Sequence, residues 1–199
     1  MNQHGGLCSV VSDARDWDQV MSIDRHQVDV DWWGRSLQRP FRYALGRDDC
    51  NLVFVSEVPQ AAPAPAGLTH GAFVANLAEP ETRGATAELF VMLQDGRYFE
   101  VHISPEGAWW YMDFSGYRKR VPGRIPSGVE IRIDLLADSW VGAIRLPFEQ
   151  LPVAPGSVVR YQATVALCTG PSPVYITSAG APTLEPDFHD ERVFSEIKL

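Results

Sequence analysis

ELFVMLQDGRYFEVHISPEGAWWYMDFSGYR, residues 88–118, is the stretch whose reading decides the fold. Its apolar-rich runs are broken by two turn signals, Gln94-Asp95-Gly96 and Ser104-Pro105-Glu106-Gly107. Asp-Gly between alternating runs marks a hairpin, because glycine takes the positive φ that a tight turn needs. Pro followed two residues later by Gly fits a second turn, with φ set early by the proline ring. The stretch therefore predicts three consecutive antiparallel strands.

Within those strands the side chains alternate. In the middle one Phe99, Val101 and Ile103 point to one face, and Tyr98, Glu100 and His102 to the other. In the strand before it Leu89, Val91 and Leu93 alternate with Glu88, Phe90 and Met92. In the strand after it Trp109, Tyr111 and Asp113 alternate with Ala108, Trp110, Met112 and Phe114. One sheet face is core. The other mixes carboxylates, an imidazole and aromatic rings, an unusual composition for a solvated face, and is expected to take a ligand. On this reading Trp110 belongs to the core, while Trp109 and Tyr111 share the polar face with Glu88, Glu100 and His102.

Working outward, residues 1–24 are polar and without period, and are expected to form a loose arm with a first strand near Val10. Residues 25–199 are expected to form a single domain. Further strands are predicted at 26–33, 41–45, 51–58, 69–77, 129–136, 140–146, 158–168, 174–177 and 193–199. PQAAPAPAG, residues 59–67, can neither pair in a sheet nor continue a helix, and reads as a surface loop. Many short strands with close turns, and no amphipathic helical run of useful length, point to an antiparallel β-sandwich of jelly-roll type with a concave ligand face.

Composition narrows the function. A chain of 199 residues with 45% hydrophobic content can build one domain with a full core. Against 17 basic residues stand 25 acidic ones, a formal charge of -8, so there is no electrostatic case for a nucleic acid or an anionic membrane as partner. No run approaches the roughly 20 apolar residues of a membrane span. Cys8, Cys50 and Cys168 are widely spaced with no CxxC pair, which argues against a zinc site and for a reduced, cytoplasmic chain. The first residues lack the basic and apolar runs of a secretory signal. There is no G-x-S-x-G, no Gly-rich phosphate loop and no HExxH, so hydrolase, kinase and metalloprotease readings lack support.

Candidate chemistry gathers on the polar face. Glu88, Glu100 and His102 could do general acid–base work, hold a calcium ion with a nearby loop carbonyl, or accept sugar hydroxyls. The structural alternative is a buried carboxylate pair satisfied by Arg97, Arg118 or a backbone donor. Trp109 and Tyr111 could stack a sugar ring or wall an apolar pocket. His189 could line the pocket with Asp187 orienting its ring, or lock the C-terminal strand. Arg118 could clamp a hydroxylated or anionic ligand, or pair with Glu100 or Asp113. Met92 with a histidine could hold haem, although it fits the core better; no cofactor is required by these residues.

YFEVHISPEGAW (98–109), FSGYR (114–118) and PDFH (186–189) with Phe194 together resemble the DOMON-like domains related to family 9 carbohydrate-binding modules. The resemblance runs from about Asn51 to the last residue. It implies a β-sandwich that binds sugars or haem. The residues themselves put Tyr98, Glu100, His102, Trp109, Tyr111, Arg118 and His189 at the expected ligand site. Where such domains carry a Trp ahead of the strand that holds Glu88, this sequence reads Thr82-Arg83-Gly84-Ala85-Thr86-Ala87. The expected protein is a monomer or homodimer that binds a sugar or another small molecule. The alternatives are a cyclase- or isomerase-type enzyme using Glu88, Glu100 and His102 on an apolar substrate, and a scaffold without a ligand.

Overall fold

The alternation along residues 88–118 becomes strand pairing over its whole length. The computed structural model describes residues 8–59, 85–122, 125–167, 173–180 and 183–199. In chain order its strands are β1 Ser9–Val10, β2 His26–Val30, β3 Ser36–Arg47, β4 Asn51–Val58, β5 Thr86–Met92, β6 Tyr98–Ile103 and β7 Trp109–Phe114. They continue as β8 Arg120–Val121, β9 Glu130–Leu135, β10 Trp140–Pro147, β11 Val158–Leu167, β12 Val174–Thr177 and β13 Ser195–Lys198. A short α-helix, α1, spans Trp17–Met21, and single 3-10 turns span Phe148–Gln150 and Glu191–Val193. The expected strand at 69–77, the loop from residue 60 and Cys168 lie outside the described residues.

Among the described residues the strands form two sheets. The first runs β1-β3-β4-β10-β9 with β2 beside β3, and the second runs β12-β11-β5-β6-β7-β8 with β13 beside β11. Every pairing is antiparallel except that of β1 with β3. The sheets close face to face on one core, to which β5 and β6 contribute Leu89, Val91, Phe99, Val101 and Ile103, as their alternation requires. From the first sheet come Phe41, Tyr43, Leu52, Phe54, Trp140 and Ile144. The chain is a β-sandwich.

Both outer faces are covered in part. Asp16 caps α1 by accepting from the backbone N–H groups of Asp18 and Gln19. Val20, with Ala14 and Ile23, packs on Ala44, Val53, Val55, Val141 and Ala143 of the first sheet. The loose arm expected for residues 1–24 is therefore a packed layer from residue 8 onward. Its helix has five residues, too few to leave a periodic trace in the sequence, and is held by burial rather than by propensity.

On the other side, β12 and β13 pair with the same edge of β11, at Thr164–Leu167 and Val158–Tyr161. Between them, residues 188–194 lie over the outer face of the sheet. Phe188, Val193 and Phe194 from this segment pack with Phe90, Tyr98 and Phe114, and Trp32 from beyond β2 joins the same cluster. The apolar rings among the polar residues demand this cover, since exposed rings would forfeit about 25 cal/mol per Å².

Three successive hairpin loops set which residues share a face. Leu93 N–H donates to Arg97 O at 2.8 Å, Ser104 N–H to Ala108 O at 2.9 Å and Ser115 N–H to Lys119 O at 2.9 Å. Gly96 and Gly107, each fourth in its loop, take φ of 82° and 80°. Such loops carry a type I turn followed by a left-handed residue, and they pair even positions with even ones. Glu100 accordingly faces Met112 and His102 faces Trp110, while Tyr111 pairs with Val101 and Trp109 with Ile103. This corrects the expected roles of the aromatic triplet. Trp109 and Tyr111 lie in the core between the sheets, and Trp110 lies on the polar face.

Candidate functional site

The outer face of β11, β5, β6 and β7 carries three rows of side chains, each row a line of directly paired residues. The first reads Thr164, Glu88, His102, Trp110; the second Gln162, Phe90, Glu100, Met112; the third Arg160, Met92, Tyr98, Phe114. Glu88, Glu100 and His102 are thus neighbours, as the alternation predicted, and all three are buried. His102 stands between the carboxylates, with Nδ1 3.5 Å from Glu88 Oε1 and Nε2 3.6 Å from Glu100 Oε1. Its ring centroid lies 4.0 Å from that of Trp110.

The two carboxylates differ in what holds them. Glu88 accepts from Thr86 Oγ1 at 3.2 Å and Thr164 Oγ1 at 3.1 Å. Burial raises its pKa, against the pull of His102 and the two hydroxyls. Glu100 Oε2 has no hydrogen-bond donor among the described residues. Burial pushes its carboxyl up to about 7, with His189, Arg120 and Arg118 pulling the other way. Arg97 pairs with Asp95 and Arg118 with Asp187, so neither arginine satisfies the buried acids.

Beside Glu100 runs a short chain of hydrogen bonds. Arg118 N–H donates to Tyr98 Oη at 3.1 Å, and Tyr98 Oη lies 2.7 Å from His189 Nδ1. Burial pushes the Tyr98 phenol up to about 12, so it stays protonated and donates to Nδ1. Burial also lowers the pKa of His189, although Glu100 opposes this. The neutral ring then carries its proton on Nε2, 4.0 Å from Glu100 Oε2, too far for a hydrogen bond.

Of the two roles weighed for His189, the one in which Asp187 orients the ring is not seen; Asp187 accepts from the His189 backbone N–H at 3.0 Å. Its other partners are Arg118 Nη2 at 2.8 Å and Tyr117 Oη at 2.5 Å. Burial alone would raise its pKa, but these three donors hold it below the usual range. Asp187 therefore ties the covering segment to the third hairpin. Arg118 occupies in that hairpin the place that glycine takes in the other two, with φ of 53°. An L-residue there costs about 1–2 kcal/mol. We expect Arg118→Gly to be about 1 kcal/mol more stable than Arg118→Ala in urea unfolding, since both lose the ion pair and only glycine relieves the backbone. Equal stability of the two would mean that the turn relaxes around alanine.

One residue escaped the sequence reading. Gln162, in the middle of β11, is fully buried, and neither its Oε1 nor its Nε2 has a hydrogen-bond partner among the described residues. Its signal was present: an uncharged amide in VVRYQATVAL, on the side opposite the core residues Tyr161 and Ala163. Phe90 pairs with Gln162 on one side and Glu100 on the other, so the backbones of the two residues with orphaned groups lie roughly 10 Å apart with Phe90 between them. Met92 is buried, with its sulfur accepting from Arg160 Nη2 at 2.9 Å. Among the described residues no group of His, Cys, Asp and Glu side chains could hold a metal ion.

This architecture defines a class, a two-sheet β-sandwich with a covered polar face. No family model and no curated protein matches the sequence. Solved structures do resemble it. A candidate carbohydrate-binding protein from Bacteroides uniformis ATCC 8492 matches 96% of this chain and 97% of its own, with a TM-score of 0.66 and 14% identity. A family 9 carbohydrate-binding module from Caldicellulosiruptor kristjanssonii, in complex with glucose, matches 97% of this chain and 94% of its own, with a TM-score of 0.63 and 14% identity. Its complex with cellotriose gives a TM-score of 0.60 at 13% identity, over 97% and 92% of the two chains. The fold expected from the family 9 resemblance is shared with these proteins.

Proposed function

We propose that this chain is a carbohydrate-binding β-sandwich of the DOMON-like group, with its ligand on the face that holds Gln162, Glu88, Glu100, His102, Tyr98 and His189. The observation that carries the reading is the pair of orphaned buried groups, the Gln162 amide and Glu100 Oε2. Each costs about 1–3 kcal/mol when unpaired, a cost without purpose in a scaffold that binds nothing. Together they offer two acceptors and a donor, the complement of sugar hydroxyls, and a ligand reaches them when the cover of Phe188, Val193 and Phe194 moves off Phe90. The ligands of the similar modules, glucose and cellotriose, are the natural probes.

Calorimetry with these sugars tests the reading. Wild type is expected to bind, and Glu100→Gln to weaken binding by about tenfold or more, because a hydrogen bond to a charged acceptor contributes roughly 1.5–3 kcal/mol. Unchanged affinity in Glu100→Gln would exclude Glu100 from the site. A second reading, acid–base chemistry on an apolar substrate, is favoured by the elevated Glu100 pKa and the adjoining Tyr98–His189 pair. It requires the Glu100 carboxyl to titrate near neutrality, which carbon-detected NMR would read directly; an ordinary carboxylate titration would sink it.

A further inference from the structure

We propose a second sugar site at the edge of the sandwich, on the indole face of Trp33. It rests on the carbohydrate reading for the class of its ligand, but uses none of the polar residues of the covered face and shares Trp32 with its cover. A cleft of about 470 Å³ opens between the tip of the β2–β3 hairpin and the chain after β12. That volume falls within the range of small-ligand sites, about 300–1,000 Å³. Val30, Trp33 and Leu184 line the cleft and are 44%, 45% and 88% exposed. Large apolar side chains that converge on one exposed cleft mark an interaction site more often than a solvated surface.

The tip is rigid. Asp31 is buried, and its Oδ1 accepts from the backbone N–H groups of Trp33 and Arg35 at 3.0 and 2.9 Å. Its Oδ2 takes Arg35 Nε at 2.6 Å. Trp32 N–H donates to Tyr175 O at 2.7 Å, hooking the hairpin over the edge strand of the second sheet. Both indoles are anchored as well, Trp32 Nε1 to Thr183 O and Trp33 Nε1 to Leu184 O, each at 3.0 Å. The platform is therefore ordered before any ligand arrives, which lowers the entropic cost of binding.

These bonds also select the ligand. With its N–H committed to Leu184, Trp33 presents a ring face rather than a polar edge. Arg35 lies over the ring, its guanidinium carbon 4.7 Å from the centroid, Tyr175 meets it edge-on with centroids 6.2 Å apart, and the part of the indole still exposed is what a ligand would stack on. The charge of Arg35 is balanced by Asp31, so the site favours a neutral molecule. A flat patch of C–H groups rimmed by hydroxyls fits this surface; Thr177 and Thr183 line the cleft, the Thr177 hydroxyl accepting from Ala179 N–H and so left with its proton to donate, the Thr183 hydroxyl donating to Glu185 O and so left to accept. A pyranose ring has that shape and chemistry.

Cellotriose is the probe, read by calorimetry and by the indole N–H signals in nitrogen-15 NMR. The Trp33 signal is identified by its loss in Trp33→Ala. We expect two binding events per wild-type chain and a shift of the Trp33 signal on titration. Trp33→Ala should abolish one event. Leu184→Asp, at a position exposed enough to leave folding intact, should weaken the same event about tenfold or more. Gln162→Leu should weaken the other event about tenfold or more while the Trp33 signal still shifts. Binding that leaves the Trp33 signal unmoved, or that survives both cleft variants unchanged, overturns the cleft and spares the covered face. Binding lost only in the cleft variants supports the cleft and overturns the covered face. Failure of wild type to bind overturns both.

Discussion

Gln162→Leu is expected to make the protein more stable and to cost it its ligand. The amide is fully buried with both polar atoms unpartnered among the described residues, flanked on its own strand by Arg160 and Thr164 and across the ladder by Phe90. An unpaired buried polar group costs about 1–3 kcal/mol, and an apolar side chain of similar volume removes that cost. Urea unfolding should show a gain of about 1–3 kcal/mol. Calorimetry should show the affinity for cellotriose at the covered face falling by about tenfold or more. Gain of stability with loss of function is the signature of a strained binding site. A destabilised Gln162→Leu would show instead that the amide is satisfied and structural.

Glu100→Gln is expected to remove a slope in stability against pH. The folded carboxyl titrates at about 7, above its ordinary 4.5. Between those values the unfolded chain has released its proton while the folded chain still holds one, so Glu100 makes stability fall as pH rises. Above about 7 the loss is complete, and below 4.5, where both states are protonated, it vanishes. The interval corresponds to about 3 kcal/mol. Glu88, whose pKa is also raised, acts in the same direction. His189 acts oppositely: its lowered pKa costs stability as pH drops below 6.5. The difference between variant and wild type removes what the two groups contribute on their own and leaves Glu100 with its couplings to Glu88 and His189. Urea unfolding should show Glu100→Gln gaining about 3 kcal/mol more, relative to wild type, at about pH 8 than at pH 4.5. A difference that stays constant with pH would mean that the Glu100 carboxylate is solvated or paired.

Arg118 illustrates how the site and the fold share their constraints. Its backbone N–H feeds Tyr98, its guanidinium feeds Asp187, and its left-handed φ stands where two sister hairpins use glycine. Local conflict of this kind concentrates at functional positions. The same region holds Glu100 and Gln162, so strain, unpaired polarity and a raised carboxyl pKa lie on one sheet face.

The sequence by itself determined the sandwich, the three-strand meander and the grouping of Glu88, Glu100 and His102 on one face, because alternation of period two and local turn residues encode all of these. It did not determine the faces of β7. Trp109, Trp110 and Tyr111 alternate whichever way the strand is turned, and only the loop Ser104–Ala108, by pairing even positions with even, puts Trp110 beside His102. Gln162 was legible as a residue but not as a site, since its burial depends on neighbours more than 60 positions away in the chain, among them Phe90. The cover was not legible either. Residues 186–194 carry no period, and their place over Phe90, Tyr98 and Phe114 follows from β12 and β13 pairing with one edge of β11, a long-range pairing that no local pattern encodes. Tertiary structure decided which polar groups lost water without gaining partners, because desolvation is set by what the distant chain brings to the face.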